Sequence, residues 1–319
     1  MKHTGRLKFL ALVAALCAAA PAGAQRSYDT DILRETFGYD DASKRAVSLE
    51  DLHQGCSARD CIPAIDEPQY VSVADATHMA DDDIVLTLSW QGQYRAYPAR
   101  ILDHHEIVND VIAGTPIAIT WCPLCGSAIG VLRNIGGEVT DFGVSGLLYN
   151  SSLVFYDRRT ETLWDQIEAK GIVGPLTGVE LELVPVAMTR WSNWSKAHPD
   201  TLVLSADTGF NQDYSADYYG KYRASNRLMF PVAASSDAMH AKSVVYGFEI
   251  GDQFLAVTEE LLQRNPTYEQ EIDGLQVTVV RSADGSVRLT DRASEQEYTP
   301  LRLYWFAWYT FHPQTGLLR

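Results

Sequence analysis

The sequence predicts an α+β fold that is rich in strands, with mixed or antiparallel sheets and few short helices. Apolar residues alternate with polar ones in several short runs, the first of which contains Ile84, Leu86 and Leu88. This period of two is typical of a strand with one buried face. Turn-forming pairs such as Gln91-Gly92 separate the runs. The best helical signal is one short segment, residues 191–198, which a proline ends.

The first 24 residues have the three parts of a secretory signal peptide. Three basic residues lie within the first eight positions, residues 9–20 form an apolar stretch too short to cross a bilayer, and Ala22-Gly23-Ala24 is a small-x-small cleavage signal. Leu16 precedes Cys17 where a lipoprotein would have a small residue, so lipidation is not expected. We therefore expect a cleaved leader over residues 1–24 and a periplasmic mature chain.

The chain is strongly acidic. Its formal net charge is −15 at pH 7, and the predicted leader contributes only basic charges. A negative surface repels nucleic acid and anionic membranes, and no later apolar run approaches the roughly 18 residues that a membrane helix needs. We therefore expect neither nucleic-acid binding nor membrane insertion, and we expect no nucleotide cofactor.

In chain order, residues 25–61 are predicted to form an extended N-terminal arm with a short helix near residues 31–36, because they show no sustained period. Residues 62–319 are predicted to form a single domain. It opens with a hairpin around Gln91-Gly92, followed by a short helix or turn over residues 102–109. Further strands are predicted over residues 116–120, 127–133, 138–144, 152–156, 202–205, 244–250, 254–258, 275–281 and 287–290.

Four cysteines remain after removal of the leader, and they form two close pairs. Four are too few to staple a chain of this length, so each pair is better interpreted as a site. The spacing of Cys56 and Cys61 suits a local disulfide in an oxidising compartment, and it also suits a pair of metal ligands.

The second pair lies in the segment Trp121-Cys122-Pro123-Leu124-Cys125-Gly126. Trp-Cys-x-x-Cys is typical of thioredoxin-like proteins, in which a helix N-terminus lowers the pKa of the first thiol. Residues 126–131 instead contain two glycines and β-branched residues, which oppose a helix. A strand–CPLCG–strand arrangement matches a metal knuckle, in which backbone amides point at both sulfurs. A metal site, a redox dithiol and an inert disulfide all remain open.

His104, His105 and Glu106 form a second polar cluster about 17 residues before the cysteines, close enough for a turn to join them. A carboxylate neighbour commonly orients a metal-ligating imidazole. The same pair could act as a general base beside a reactive thiolate. Equally, the histidine could cap a turn while Glu106 is solvated.

A third cluster of hydrogen-bonding residues is interleaved with apolar ones after residue 142. Its members are Ser145, Tyr149, Asn150, Asp157 and Gln166. They could line a ligand pocket, or they could satisfy buried backbone groups in turns. The serine is not in a nucleophile elbow, because leucine occupies position 147, where that motif has glycine.

Several long motifs resemble the family known as domain of unknown function 3179, DUF3179. They are His105 to Asp110, Thr120 to Gly126, Phe142 to Asn150, Tyr156 to Arg158, Leu163 to Gln166 and Trp305 to Trp308. The likeness covers about residues 62–313 and implies a bacterial or archaeal protein, often exported, of unknown activity. It groups His105, Cys122, Cys125 and the 142–150 segment in one site. The family pattern does not require the earlier cysteine pair, which disfavours a four-cysteine metal site.

We therefore predict a metal-binding protein that holds zinc or copper through Cys122, Cys125 and His105, with Glu106 orienting the imidazole. The alternative is a thiol-disulfide oxidoreductase with Cys122 as the attacking thiol. In a third hypothesis, the cysteines are structural and the cluster after residue 142 binds a small molecule. The sequence identifies no substrate and does not decide whether the protein is an enzyme.

Overall fold

The computed structural model describes residues 31–272 and 274–319, so the predicted signal peptide lies outside the described residues. A π-helical turn, Ile32–Thr36, and a 3-10 turn, Leu49–Asp51, come first. The strands are β1 (Leu52–Gln54), β2 (Tyr70–Val71), β3 (Ile84–Trp90), β4 (Gln93–Pro98), β5 (Ile107–Ile112), β6 (Thr115–Cys122), β7 (Ser127–Leu132), β8 (Asn134–Ile135), β9 (Glu138–Val139), β10 (Phe142–Tyr149), β11 (Ser152–Asp157), β12 (Leu163–Asp165), β13 (Lys170–Val173), β14 (Leu183–Val184), β15 (Val186–Arg190), β16 (Leu202–Leu204), β17 (Val244–Ile250), β18 (Gln253–Thr258), β19 (Thr267–Ile272), β20 (Leu275–Arg281), β21 (Val287–Asp291), β22 (Glu297–Tyr298), β23 (Leu301–Tyr304) and β24 (Gly316–Leu318). The helices are α1 (Ala99–Leu102), α2 (Trp191–Ala197), α3 (Gly220–Ala224), α4 (Glu259–Arg264) and α5 (Trp305–Phe311).

The predicted fold class is confirmed, because 40% of the structure is strand and 13% is helix. The first three sheets have the strand orders β1-β10-β11-β12-β13, β14-β7-β6-β5 and β15-β3-β4-β16-β2. Two four-stranded sheets follow in the C-terminal part, β23-β17-β18-β24 and β19-β20-β21-β22. Most pairings are antiparallel, whereas β4 with β16 and β18 with β24 are parallel.

The described part of the predicted N-terminal arm packs against the first sheet. Strand β1 pairs with β10, and Ile32, Leu33 and Leu52 are buried in an apolar cluster with residues of β10 to β13. The short helix is present at Ile32–Thr36, close to its predicted position. The segment therefore contributes strands and side chains to the same core as the residues that follow it.

The hairpins predicted from alternation are present as β3–β4 and β6–β7. The helix or turn predicted over residues 102–109 is wrong in its second half, where β5 begins at Ile107. Glu106 has a φ of +55°, which ends the turn after α1, and the β-branched Ile107 and Val108 then pair with β6. A helix, α5, also forms from the aromatic run near the C-terminus.

The largest apolar cluster lies where the sheets meet, and it contains both sulfur atoms of the CPLCG segment. Cys122 and Cys125 pack there with Trp164, Trp305 and Trp308. This places the segment inside the protein. Over the residues that the structure describes, no helix is both long enough and apolar enough to span a membrane.

Candidate functional site

The CPLCG segment is the turn of a β-hairpin, as the sequence predicted. Strands β6 and β7 pair up to the turn, with Cys122 opposite Ser127. The Cys125 amide donates to the Cys122 carbonyl oxygen at 3.2 Å. Gly126 has a φ of +60°, and a Cβ at that position would lie 2.7 Å from the Tyr304 ring. Glycine is therefore required both by the backbone conformation and by the close approach of the tyrosine.

The two thiols of the turn are free and buried. Cys122 is 2% exposed and Cys125 is 0% exposed. The Cys125 thiol lies between two acceptors, the Ser151 carbonyl oxygen at 3.3 Å and the Cys122 sulfur. The sulfurs are therefore direct neighbours that share a hydrogen bond.

The environment drives the two thiol pKa values apart. Burial by itself raises the pKa of Cys122, but hydrogen bonds from the Cys125 thiol and from the amides of Cys125, Leu153 and Leu124 outweigh it, so this pKa lies below its ordinary value. Burial also raises the pKa of Cys125, and the hydrogen bond to Cys122 raises it further. The pKa of Cys122 is therefore lowered while that of its direct neighbour Cys125 is raised.

Two buried carboxyl groups interact electrostatically with this pair. Glu106 lies in the turn before β5, and burial followed by the charge of Cys122 raises its pKa well above the ordinary value. Asp165 ends β12, and its pKa is raised well above the ordinary value, chiefly by burial. The Asp165 Oδ1 atom accepts from the Glu168 amide at 2.8 Å, whereas Oδ2 has no hydrogen-bond partner among the described residues. Burial therefore shifts both carboxyl groups toward the neutral acid.

A cavity of about 490 Å³ adjoins the turn on the Trp121 side. Asp103 lines it and accepts from Trp121 Nε1 at 2.8 Å. Burial raises the pKa of Asp103 to about 6, against the opposing hydrogen bond from Trp121. The cavity therefore leads to the residue next to Cys122.

Residues 205–243, which connect β16 with β17, supply aromatic side chains to the site. The Tyr222 hydroxyl donates to the Leu124 carbonyl oxygen at 3.1 Å. Burial is the largest cause of the raised pKa of Tyr219, and the charges of Glu106, Asp103 and Cys122 raise it further. This segment therefore covers the turn.

His105 does not point its ring nitrogens at the cysteines. Its Nδ1 lies 2.8 Å from the Pro63 carbonyl oxygen, and its Nε2 lies 2.6 Å from the Tyr214 hydroxyl. A carbonyl can only accept, so Nδ1 carries the proton and Nε2 accepts from Tyr214. Burial lowers the pKa of this imidazole. The neighbouring His104 packs edge-on against Tyr214 and Tyr218.

In this structure both ring nitrogens of His105 contact Pro63 and Tyr214 rather than the two sulfurs, and the zinc or copper site stays a prediction. Across the described ranges, no group of three or more histidine, cysteine, aspartate or glutamate side chains is placed to hold a metal. Two adjacent sulfurs with acids nearby can instead exchange protons and electrons.

A family model described as "Protein of unknown function (DUF3179)" matches residues 59–315. The chain belongs to this family. The match begins and ends within a few residues of the span predicted from the motifs, so that prediction is confirmed. Comparisons with curated proteins and with solved structures gave no significant match.

The predicted pocket residues of this DUF3179 protein use their polar atoms within the fold. The Ser145 hydroxyl donates to the Val154 carbonyl oxygen and accepts from the Leu147 amide, which bridges a β-bulge between β10 and β11. Asn150 accepts from the Ala233 amide at 2.8 Å. These contacts match the structural interpretation of the cluster, and the pocket stays a prediction.

Asp157 and Gln166 are fully buried and make several hydrogen bonds each. Asp157 accepts from Thr160 and from Trp164 Nε1, which closes the turn between β11 and β12. The Gln166 amide donates to Thr120 at 3.1 Å and accepts from Ser127 at 2.6 Å. Gln166 therefore joins the two strands that carry the CPLCG turn.

Tyr149 lies at the end of β10, where its ring packs edge-on against Phe311. The next two residues, Asn150 and Ser151, both have positive φ values, 50° and 62°. They form a tight two-residue turn between β10 and β11. Because Ser151 supplies the carbonyl oxygen that faces Cys125, this turn helps to position the thiol.

The other cysteine pair, Cys56 and Cys61, is joined as a disulfide, with Cα atoms 6.4 Å apart. Their loop docks on β10, where the Gly55 amide donates to the Gly146 carbonyl oxygen and the Asp60 amide donates to the Val144 carbonyl oxygen. The pair is thus separate from the CPLCG turn.

Sequence reasoning missed Asp103, Asp165, Tyr219 and Tyr222 as members of the site. Asp165 sits between the apolar Leu163-Trp164 pair and Gln166. An acid at the end of a buried strand is a signal that could have identified it. The two tyrosines lie about a hundred residues from the turn, and no local pattern relates them to it.

Proposed function

We propose that this DUF3179 protein is a thiol-based redox protein whose Cys122–Cys125 pair cycles between dithiol and disulfide. The observation that carries the proposal is that two free, buried cysteines of one hairpin turn lie side by side and share a hydrogen bond, and the shifts that lower the pKa of Cys122 and raise that of Cys125 support it. The thiolate is the nucleophile in disulfide exchange, and a neighbouring thiol resolves the intermediate. We also propose a periplasmic location from the leader, and that compartment supports this chemistry.

In the proposed reaction, the Cys122 thiolate attacks one sulfur of a substrate disulfide. The substrate sulfur–sulfur bond breaks, one substrate thiolate leaves, and a mixed disulfide with Cys122 remains. Cys125 loses its proton and attacks the Cys122 sulfur, which releases the second substrate thiolate and closes the Cys122–Cys125 disulfide. Two electrons pass from the protein dithiol to the substrate, and one of the two released substrate sulfurs ends as a thiol and the other as a thiolate.

Once the mixed disulfide has removed the negative charge of Cys122, we assign Asp165 to give its proton to the first substrate thiolate that leaves and then, as a carboxylate, to take the proton from Cys125. Its Oδ2 atom has no hydrogen-bond partner in the described chain, and its charge is one of the causes that raise the pKa of Cys125. A buried carboxylate is a stronger base than an exposed one and is better matched to a thiol. Glu106 in its neutral form keeps a further negative charge away from the Cys122 thiolate.

The test is a redox titration of Cys122 and Cys125 in a Cys56→Ser/Cys61→Ser background. The protein is equilibrated in glutathione or dithiothreitol buffers, free thiols are alkylated under denaturing conditions, and the added mass is measured. We expect a single two-electron transition from a reduced form, in which both thiols are labelled, to an oxidised form, in which neither is labelled. The same protein with Cys122→Ser and Cys125→Ser serves as the control.

Two results would contradict the proposal. A folded protein whose thiols stay reduced in oxidised glutathione would have no redox pair. A disulfide that dithiothreitol reduces only after unfolding would be a structural disulfide without a redox role.

The predicted zinc or copper site is a separate hypothesis, and the strand–turn–strand form of CPLCG with amides directed at Cys122 is what favours it. Elemental analysis of protein purified from periplasm would distinguish the two. Stoichiometric zinc or copper that is lost in the Cys122→Ser/Cys125→Ser variant would support the metal hypothesis over the redox one.

A further inference from the structure

A second cleft, with a volume of about 680 Å³, lies between the β7–β14 edge and the C-terminal part of the chain. This volume is in the range of small-molecule sites. Ile129, Leu181 and Val184 form part of its apolar wall on one side, and Phe254 and Trp308 line the other. None of the residues assigned to the redox chemistry lines it, so the two proposals rest on different residues.

The rim of the cleft is acidic. Glu168, Glu180 and Glu249 line it with one basic residue, Lys170, whose ammonium lies 3.2 Å from Glu180. Burial raises the pKa of Glu249, and the charges of Glu168 and Glu180 raise it further. The carboxylates come from opposite walls and repel one another, so a positive charge between them would lower the energy.

The floor of the cleft contains a histidine with an unused ring nitrogen. His312 is 8% exposed, and its ring lies 4.1 Å from both Phe254 and Trp308, centroid to centroid. Its Nε2 atom has no hydrogen-bond partner among the described residues, and Glu249 Oε1 is 3.6 Å away. Burial lowers the pKa of His312 to about 4, so near pH 7 the imidazole is neutral and adds no positive charge.

These features define one ligand chemistry. Carboxylates at the rim attract a cation, and a neutral imidazole nitrogen can accept from an N–H donor. The apolar wall suits a hydrocarbon chain. We propose that this cleft binds an organic cation, a protonated primary amine carried on an aliphatic chain.

The probe is 1,6-diaminohexane, with uncharged 1,6-hexanediol as the matched neutral compound, titrated by calorimetry into the full mature protein. We expect the diamine to bind and the diol not to bind. The Glu249 side chain is 63% exposed, and Glu249→Gln removes its charge while leaving the shape of the cleft unchanged. This variant should weaken diamine binding about five- to tenfold. His312→Phe, which keeps an aromatic ring and removes the acceptor, should weaken it as well.

Glu260→Gln is the control for general loss of negative charge, because Glu260 lies away from the cleft and its side chain is 78% exposed. We expect it to leave diamine affinity unchanged. Absence of diamine binding up to about 1 mM, equal binding of the diol, or equal weakening by Glu249→Gln and Glu260→Gln would each overturn the proposal. Failure here would not affect the redox titration of Cys122 and Cys125.

Discussion

At the residue scale, the two cysteines of one turn differ because their hydrogen bonds differ. Cys122 receives donors from the backbone and from Cys125, whereas Cys125 donates and is surrounded by apolar side chains. The pKa values of two identical side chains are therefore shifted in opposite directions within a span of four residues. Burial alone would have raised both pKa values.

A thiolate titration tests this asymmetry. In the Cys56→Ser/Cys61→Ser background, the ultraviolet absorbance of thiolate should show one ionisation below the ordinary thiol range of about 8–9 and a second well above it. Cys125→Ala removes a donor and should move the Cys122 ionisation upward. Cys125→Ser keeps a hydroxyl donor and should move it less, and equal behaviour of the two variants would contradict the assigned hydrogen bond.

Asp103 provides a second test at this scale, through the pH dependence of stability. Its pKa is raised from 3.8 to about 6 by burial, so between about pH 4 and pH 6 the folded state binds more protons than the unfolded state. The contribution of Asp103 to the free energy of unfolding is then fully present below about pH 4 and is lost as pH rises through about 6.

We therefore expect Asp103→Asn, whose amide oxygen can still accept from Trp121, to gain stability relative to the wild type as pH rises from about 4 to 7.5. The gain should be on the order of 2 kcal/mol, measured by urea unfolding at both pH values. Asp82→Asn at an exposed position should show no such change. A loss of stability in Asp103→Asn relative to the wild type over the same pH range would contradict the raised pKa of Asp103.

The sequence indicated part of the site at the residue scale. Cys122, Cys125 and Glu106 are close together as expected, because short turns join the strands that carry them. The partner of His105 could not be predicted, since Tyr214 lies 109 residues away. A side chain with a long-range partner gives no local signal, and the metal-ligand hypothesis for this histidine arose from its neighbours in sequence and from the family resemblance.

At the element scale, the CPLCG hairpin depends on its closing glycine. Gly126→Ala would force a positive φ on alanine and place a methyl group against Tyr304. We expect the free energy of unfolding to fall by about 2–4 kcal/mol from the combined backbone and packing costs. Gly136→Ala is the matched control, because Gly136 also has a positive φ but has nothing within 4 Å of the added carbon.

The Gly136→Ala control should lower the free energy of unfolding by only about 1 kcal/mol. Both variants are measured by urea unfolding. Equal losses in the two variants would mean that the approach of Tyr304 does not constrain the turn.

The elements that could be predicted are those that have one buried face. Strands β3 and β4 alternate visibly, and the Gln91-Gly92 turn between them is a familiar signal. Helix α5 is different, because five of its seven residues are buried and no polar stripe reveals its period. Strand β5 was missed because the positive φ of Glu106 ends the preceding turn earlier than its sequence indicates.

At the scale of the whole molecule, the site depends on the C-terminal residues that pack behind it. Trp308 and both thiols belong to one apolar cluster, so damage to the cluster should reach the cysteines. Trp308→Ala should lower the free energy of unfolding by about 3–5 kcal/mol, which is typical of deleting a buried aromatic ring. It should also speed alkylation of Cys125 in the native state.

The matched control is Met229→Ala, because this methionine is 52% exposed, and it should change neither quantity appreciably. Unchanged alkylation of Cys125 in a clearly destabilised Trp308→Ala protein would show that the tryptophan protects the fold without protecting the thiol.

The assembly of the site from distant segments has a consequence for the order of folding. Cys122 and Cys125 become enclosed only after Tyr222 and Tyr304 arrive, and contacts over such long stretches of chain form slowly. Cys56 and Cys61 are five residues apart, so their loop closes quickly and at little entropic cost. Under the proposed export into an oxidising compartment, early closure of this loop would withdraw two thiols from the nascent chain. The later pair would then have no free cysteine to mispair with while it is still uncovered.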